Sequence, residues 1–180
     1  MQKMDPANLF ENVLKRAEEG DLVAACEIAH RYRLGMGVHQ SWPEALRWYT
    51  SAADAGDMAA LNWLVRLYGG REEMEPEPEK AILWLNKAVA AGDTGSLCDL
   101  GLHFFNGWGV QANQKHAAEL YKQAARAGDL WGAYLLGLCY QEGQGVKKNR
   151  RWALQWLDMA ADEHQEARDM AYVIRYGDES

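Results

Sequence analysis

Five histidines and three cysteines are the residues best suited to chemistry, and their spacing argues against it. His30, His39, His103, His116 and His164 never stand three or four residues apart, so no helix carries the paired imidazoles of a helical metal site. Cys26, Cys98 and Cys139 are an odd count with no local pairing, which reads as reduced thiols in a reducing compartment. No serine or cysteine stands in a recognisable nucleophile context, and no glycine-rich phosphate loop follows a strand. The chain is therefore read as having no catalytic residue, no metal and no cofactor. Its net charge of −7 argues against nucleic-acid binding, which needs a basic face, and permits a basic protein partner. No stretch approaches the ~20 apolar residues of a membrane span. Residues Met1 to Leu9 lack an apolar signal core, so a cytoplasmic location is expected, although a chain whose signal had been removed would look the same.

What positions these residues is a period of 36. Gly20, Gly56, Gly92 and Gly128 are each followed by an aspartate, at 21, 57, 93 and 129. Twelve residues past each glycine stands Tyr32, Tyr68, Phe104 or Tyr140, and Tyr176 keeps the phase in a fifth, shorter copy. Ile28, Leu64, Leu100 and Leu136 share a phase, as do Ala45, Ala81, Ala117 and Ala153. A period of this size marks a solenoid, in which each unit buries its apolar face only against its neighbours. Cys26 and Cys98 lie two repeats apart in one phase. Stacked helices stand roughly 8–10 Å apart, so these cysteines are beyond disulfide reach.

Each copy reads as two helices. In the first, Asp21 caps a helix whose Ala24, Ile28 and Tyr32 recur at helical spacing. Gly35-Met36-Gly37-Val38 closes it: Gly35 suits a left-handed stop, Gly37 is expected to loosen the turn, and Val38 to tuck back as a plug. Ser41 then caps a second helix with Pro43 in its first turn and Ala45, Trp48, Tyr49, Ala52 and Ala53 as its buried stripe. The expected architecture is all-α, a single α/α solenoid domain over 1–180 with about ten helices. The repeats run near 21–56, 57–92, 93–128 and 129–164, with a capping helix at 6–19 and a last helix at 166–176. Polar Asn12 and Arg16 suit the capping helix to face solvent.

The pattern Ala24…Ile28-Ala29…Tyr32…Gly35-x-Gly37-Val38…Ala45…Trp48-Tyr49…Ala52-Ala53…Gly56 resembles the Sel-one-like repeat family, a relative of the tetratricopeptide repeat. Leu100-Gly101…Phe104…Gly107-x-Gly109-Val110 and Leu136-Gly137…Tyr140…Gly143-x-Gly145-Val146 repeat the signature. The resemblance implies an α/α superhelix that binds other proteins and has no chemistry of its own. Some bacterial members look like cysteine-rich secreted proteins linked to β-lactam binding or hydrolysis, but this chain lacks their paired cysteines. The second copy departs from the loop motif. It reads Gly69-Gly70 and then an acidic run with Glu72, Glu73, Glu75, Glu77 and Glu79, where Met74 takes the plug position and Glu77 the capping position.

In tetratricopeptide-like stacks the first helix of each pair lines a concave groove. The groove-facing phases hold His30, Arg33 and Arg66 in the first two copies, and Leu102, Phe105, Trp131, Tyr134 and Leu138 in the next two. Cys26 and Cys98 fall on these phases too. An apolar aromatic patch beside a basic one suits a peptide with a hydrophobic anchor and an acidic flank. Two readings of the aromatics stand: contact surface, or packing against the next repeat. Trp63 lies one position off the groove phase and is read as packing, and Trp108 as a lid over the inter-helix core. The glutamate run is either a solvated loop or an acidic contact for a basic partner. The function expected is a non-catalytic module holding a protein or peptide in its groove. The alternatives are an immunity or inhibitor-type protein that neutralises a basic toxin or enzyme, and a β-lactam-binding or hydrolysing member of the family.

Overall fold

The computed structural model describes residues 6–70 and 74–177. Among the described residues lie ten helices and no strand. They are α1 (Pro6–Glu18), α2 (Leu22–Leu34), α3 (Trp42–Asp54), α4 (Met58–Tyr68), α5 (Pro78–Ala90), α6 (Ser96–Asn106), α7 (Gln114–Arg126), α8 (Leu130–Glu142), α9 (Arg150–Ala160) and α10 (Gln165–Tyr176). The chain divides into two compact units, Met1–Pro76 and Glu77–Ser180. In the first unit α1, α2, α3 and α4 pack in succession. In the second, α5 to α10 do the same, and α6 also touches α8. No helix among the described residues is long and apolar enough to cross a membrane.

Helix starts follow the capping residues. Asp21, Asp57 and Asp129 accept the N–H of Ala24, Ala60 and Gly132 at 3.0, 2.7 and 2.6 Å. Ser41, Asn113 and Asn149 do the same for Glu44, His116 and Trp152 at 3.4, 3.0 and 3.0 Å. Two starts differ. Asp93 keeps the phase, yet α6 begins only at Ser96, and Asp93 Oδ2 accepts the Ser96 hydroxyl at 2.6 Å instead of a backbone N–H. Glu77 holds the cap position of α5 without a capping bond and pairs with Lys80 at 2.6 Å. Its side chain is longer than the Ser, Asp or Asn that fold back onto the first turn.

The loops tie each helix pair together. Gly35, Gly107 and Gly143 are left-handed, and their N–H groups donate to the carbonyls of Arg31, His103 and Cys139. The next capping residue then reaches back: Ser41, Asn113 and Asn149 donate their N–H to the carbonyls of Tyr32, Phe104 and Tyr140 at 2.9, 2.7 and 2.9 Å. One residue thus starts the second helix with its side chain and anchors the first with its backbone. The second loop glycine does not loosen the turn. Gly109 and Gly145 have φ +67° and +72°. A Cβ on Gly109 would stand 2.6 Å from the Pro78 carbonyl carbon, and one on Gly145 would strike the Gln114 carbonyl. These glycines let each loop sit on the start of the preceding repeat's second helix.

The core follows the period. Ile28, Leu64, Leu100 and Leu136 are buried, as are Ala45, Ala81, Ala117 and Ala153. Each fully buried Leu or Ile contributes about 1.5–3 kcal/mol. The alanines let α3, α5, α7 and α9 approach their partners. In the second unit Val146 plugs against a cluster of Ala117, Ala118, Tyr121, Leu136 and Cys139. A second cluster joins Leu157 to Ala133, Ala167, Ala171 and Ile174.

Candidate functional site

In the first unit, His30, Arg33 and Arg66 gather around Trp63. The Arg33 and Arg66 guanidiniums lie 4.5 and 4.8 Å from the centre of its ring. His30 meets that ring edge-on at 5.1 Å, and Tyr49 stacks on it at 6.0 Å. His30 Nδ1 and the Tyr49 hydroxyl are 3.1 Å apart, and Arg33 Nη2 lies 3.3 Å from His30 Nε2. A guanidinium only donates, so Nε2 accepts and Nδ1 carries the proton toward Tyr49. Three predicted contact residues therefore do come together, on a tryptophan that the phase argument left out. Trp63 packs, as expected, but it also carries both cations. Its spacing of three from Arg66 was the available signal.

In the second unit the aromatic residues divide. Trp131 is 42% exposed, and its ring lies 5.2 Å from Tyr134 and 5.6 Å from His164. Tyr134 and His164 stack at 6.1 Å. Tyr134 also packs on the Leu157 cluster. Leu102 and Phe105 pack on the Leu136 cluster instead. Leu138 is half-buried. Of the exposed indoles of the second unit, at Trp108, Trp131 and Trp152, that of Trp131 is held by a tyrosine and a histidine. His164 stands at the start of α10, and nothing in its spacing links it to Trp131.

The remaining candidates resolve differently. Trp108 is 54% exposed, so it is no lid. Its carbonyl lies 2.9 Å from His103 Nδ1, and its ring meets His103 edge-on at 6.0 Å. Glu75 is exposed in the first unit. In the second unit Glu77 pairs with Lys80, and Glu79 is exposed in the first turn of α5. Glu72 and Glu73 lie outside the described residues. Cys98 is not groove-facing but buried, and its thiol donates to the capping Asp129 at 3.6 Å. Burial, with Asp129 beside it, pushes that thiol far above its ordinary range. Cys26 occupies the same phase, and burial with the nearby Asp57 charge raises it to about 11. Burial alone raises Cys139 to about 11. All three are free thiols held neutral, the reverse of a reactive cysteine. Among the described residues no group of three or more His, Cys, Asp or Glu is placed to hold a metal.

The Sel1 repeat model matches residues 22–57, 59–93, 95–129 and 132–164. A Sel1 repeat protein from Oxalobacter formigenes is 25% identical with a TM-score of 0.72, over 93% of this chain and 67% of that one. A protective antigen with an SLR fold from uropathogenic Escherichia coli strains is 26% identical with a TM-score of 0.78, over 91% of this chain and 36% of that one. The chain thus spans about a third of the antigen's length. Helicobacter pylori cysteine rich protein B, 23% identical with a TM-score of 0.56 over 73% of this chain and 95% of that one, shares the fold alone. No curated protein matches. Sel1 repeat proteins are generally protein-interaction modules on non-catalytic scaffolds. With four consecutive repeats matched, the chain belongs to the Sel1 repeat family.

Proposed function

We propose that this chain is a non-catalytic interaction module that holds a protein or peptide partner on the first-helix surfaces of its repeats, in the cytoplasm. The observation that carries the reading is Trp131. A tryptophan 42% exposed loses much apolar contact with water when a partner covers it. Its neighbours Tyr134 and His164 already fix the ring, so little side-chain freedom remains to be lost on binding. Rigid aromatic residues of this kind are the usual centres of binding energy. Leu138, Leu102 and Phe105 supply half-buried apolar surface on the same first-helix phases. In the first unit, Arg33 and Arg66 offer charge for an acidic stretch of partner, with Trp63 and His30 holding them in place.

The test is affinity capture from lysate of the source cells with two baits, the wild type and Trp131→Ala. A protein retained by the first and lost from the second supports the reading. Equal retention on both baits, with both folded, removes Trp131 from it.

A further inference from the structure

A separate surface lies on α9 and α10. An open groove of about 600 Å³ is lined by Arg150, Arg151, Leu154, Gln155, Asp158 and Arg175. The first five share one face of α9 by helical spacing. Three guanidiniums face one carboxylate there, in a chain of net charge −7. Arg150 donates to the Ile174 carbonyl and, at 3.4 Å, to that of Arg175, so its side chain is fixed between the two helices. Arg175 donates to both Asp158 oxygens at 2.7 Å. Arg151 is exposed, and exposed Lys147 and Lys148 precede it.

These cations work against their own helix. A helix N-terminus carries partial positive charge and favours acidic residues in its first turn. The second helices α3 and α5 follow this, with Glu44 and Glu79, whereas α7 has no acid in its first turn and carries Lys115 there. The first turn of α9 opens on Arg150 and Arg151 and holds no acid. Arg150 gains a structural role at the end of α10, whereas exposed Arg151 sets a second cation against the same helix start.

The groove has an aromatic edge. Tyr176 follows Arg175 and is in electrostatic contact with its guanidinium. Tyr172 stands 5.0 Å from Tyr176, ring to ring. Tyr172 is 65% exposed, although the residue one repeat earlier, Leu136, is 1% exposed. Val173 beside it is exposed as well.

We propose that the α9–α10 groove binds an acidic peptide segment of a partner protein, with carboxylates at Arg150 and Arg151 and an aromatic anchor on Tyr172 and Tyr176. Guanidiniums pair with carboxylates through two parallel hydrogen bonds, a geometry ammonium groups do not offer. The volume suits a few side chains. An anionic membrane would also attract these cations and tyrosines. The Asp158 carboxylate among them and the net charge of −7 oppose such a surface, however.

The test is fluorescence anisotropy with a labelled seven-residue peptide of glutamates and aspartates around a central phenylalanine. The same peptide with a central alanine, its lysine counterpart and vesicles rich in phosphatidylserine are the comparisons. The proposal expects saturable binding of the first peptide that weakens with added salt. Arg151→Glu weakens it at least about tenfold, the loss of one charge-assisted contact. Tyr172→Ala, or alanine in the peptide, weakens it about fivefold or more, as for an aromatic contact. Binding that Trp131→Ala weakens and Arg151→Glu does not would place the peptide on the first-helix surfaces and overturn the proposal. The Tm of Arg151→Glu stays the same or rises, because an acid at that position suits the helix. No binding of the peptide by wild type, or equal binding by wild type and Arg151→Glu, overturns the proposal. Vesicle binding without peptide binding overturns it too and assigns the surface to a membrane.

Discussion

Trp63 and Trp131 both lie on the first helix of a repeat, and each gathers a histidine and a tyrosine. They differ by one helical turn of phase: two periods before Trp131 stands Ala59, four residues ahead of Trp63. That turn changes what the indole does. Trp63 is half-buried under two guanidiniums, with Tyr49 of the neighbouring helix stacked on it. Trp131 stands open to solvent over Tyr134 and His164. One cluster spends its aromatic surface on holding cations in place. The other leaves it available.

The largest test strikes the core phase that both clusters share. Leu64→Ala and Leu136→Ala each remove a buried leucine. Each should cost about 2–5 kcal/mol by calorimetry. Tyr172→Ala, one period after Leu136 but exposed, should cost less than about 0.5 kcal/mol. An equal loss at Leu136 and Tyr172 would mean that the period does not set burial.

The next separates the tryptophans. Trp63→Ala loses two cation–π contacts and two ring contacts and should cost about 2–3 kcal/mol of stability. Trp131→Ala should cost less than about 1 kcal/mol. Equal losses in chemical denaturation would erase the distinction drawn between them.

Smaller effects sharpen the account of the scaffold. Asp57→Ala and Asp129→Ala remove a cap and should each cost about 1 kcal/mol, whereas Asp93→Ala, which caps no backbone N–H, should cost about half that or less. The cysteines give the least visible effect. Cys26 is raised in the fold to about 11 from 9.0, so the folded state holds its proton more tightly than the unfolded one. The stability this contributes is fully present below pH 9 and is lost as pH rises through about 11. Denaturation midpoints measured across that window should fall, and fall less in Cys26→Ala. Alkylation of the native protein at pH 8 should be about 100-fold slower than of the unfolded chain, because only the thiolate reacts.

Much of this was legible from the residues, for a physical reason. Core and cap positions must satisfy the same packing in every copy, so Ile28, Leu64, Leu100 and Leu136 repeat, and so do the capping aspartates. What escaped depends on contacts between copies. The second loop glycine reads as slack in one repeat, yet Gly145 faces the Gln114 carbonyl of the repeat before. Cys98 reads as groove-facing by phase, yet it donates to Asp129 thirty-one residues on. Trp63 misses the contact phase by one position, but an indole is wide enough to reach both arginines. The late start of α6 follows from Gly95, which a periodicity argument passes over.

The central claim is that Trp131 is a contact surface and Trp63 is a scaffold. Isothermal titration of the captured partner against wild type, Trp131→Ala and Arg66→Glu tests it most directly, with Tm measured on the same samples. The account predicts that Trp131→Ala weakens binding by about 2 kcal/mol, roughly 30-fold, at nearly unchanged Tm. Arg66→Glu should weaken it in a salt-dependent way. Unchanged affinity in both variants contradicts the account, and so does a collapse of Tm in Trp131→Ala, which would return that indole to the core.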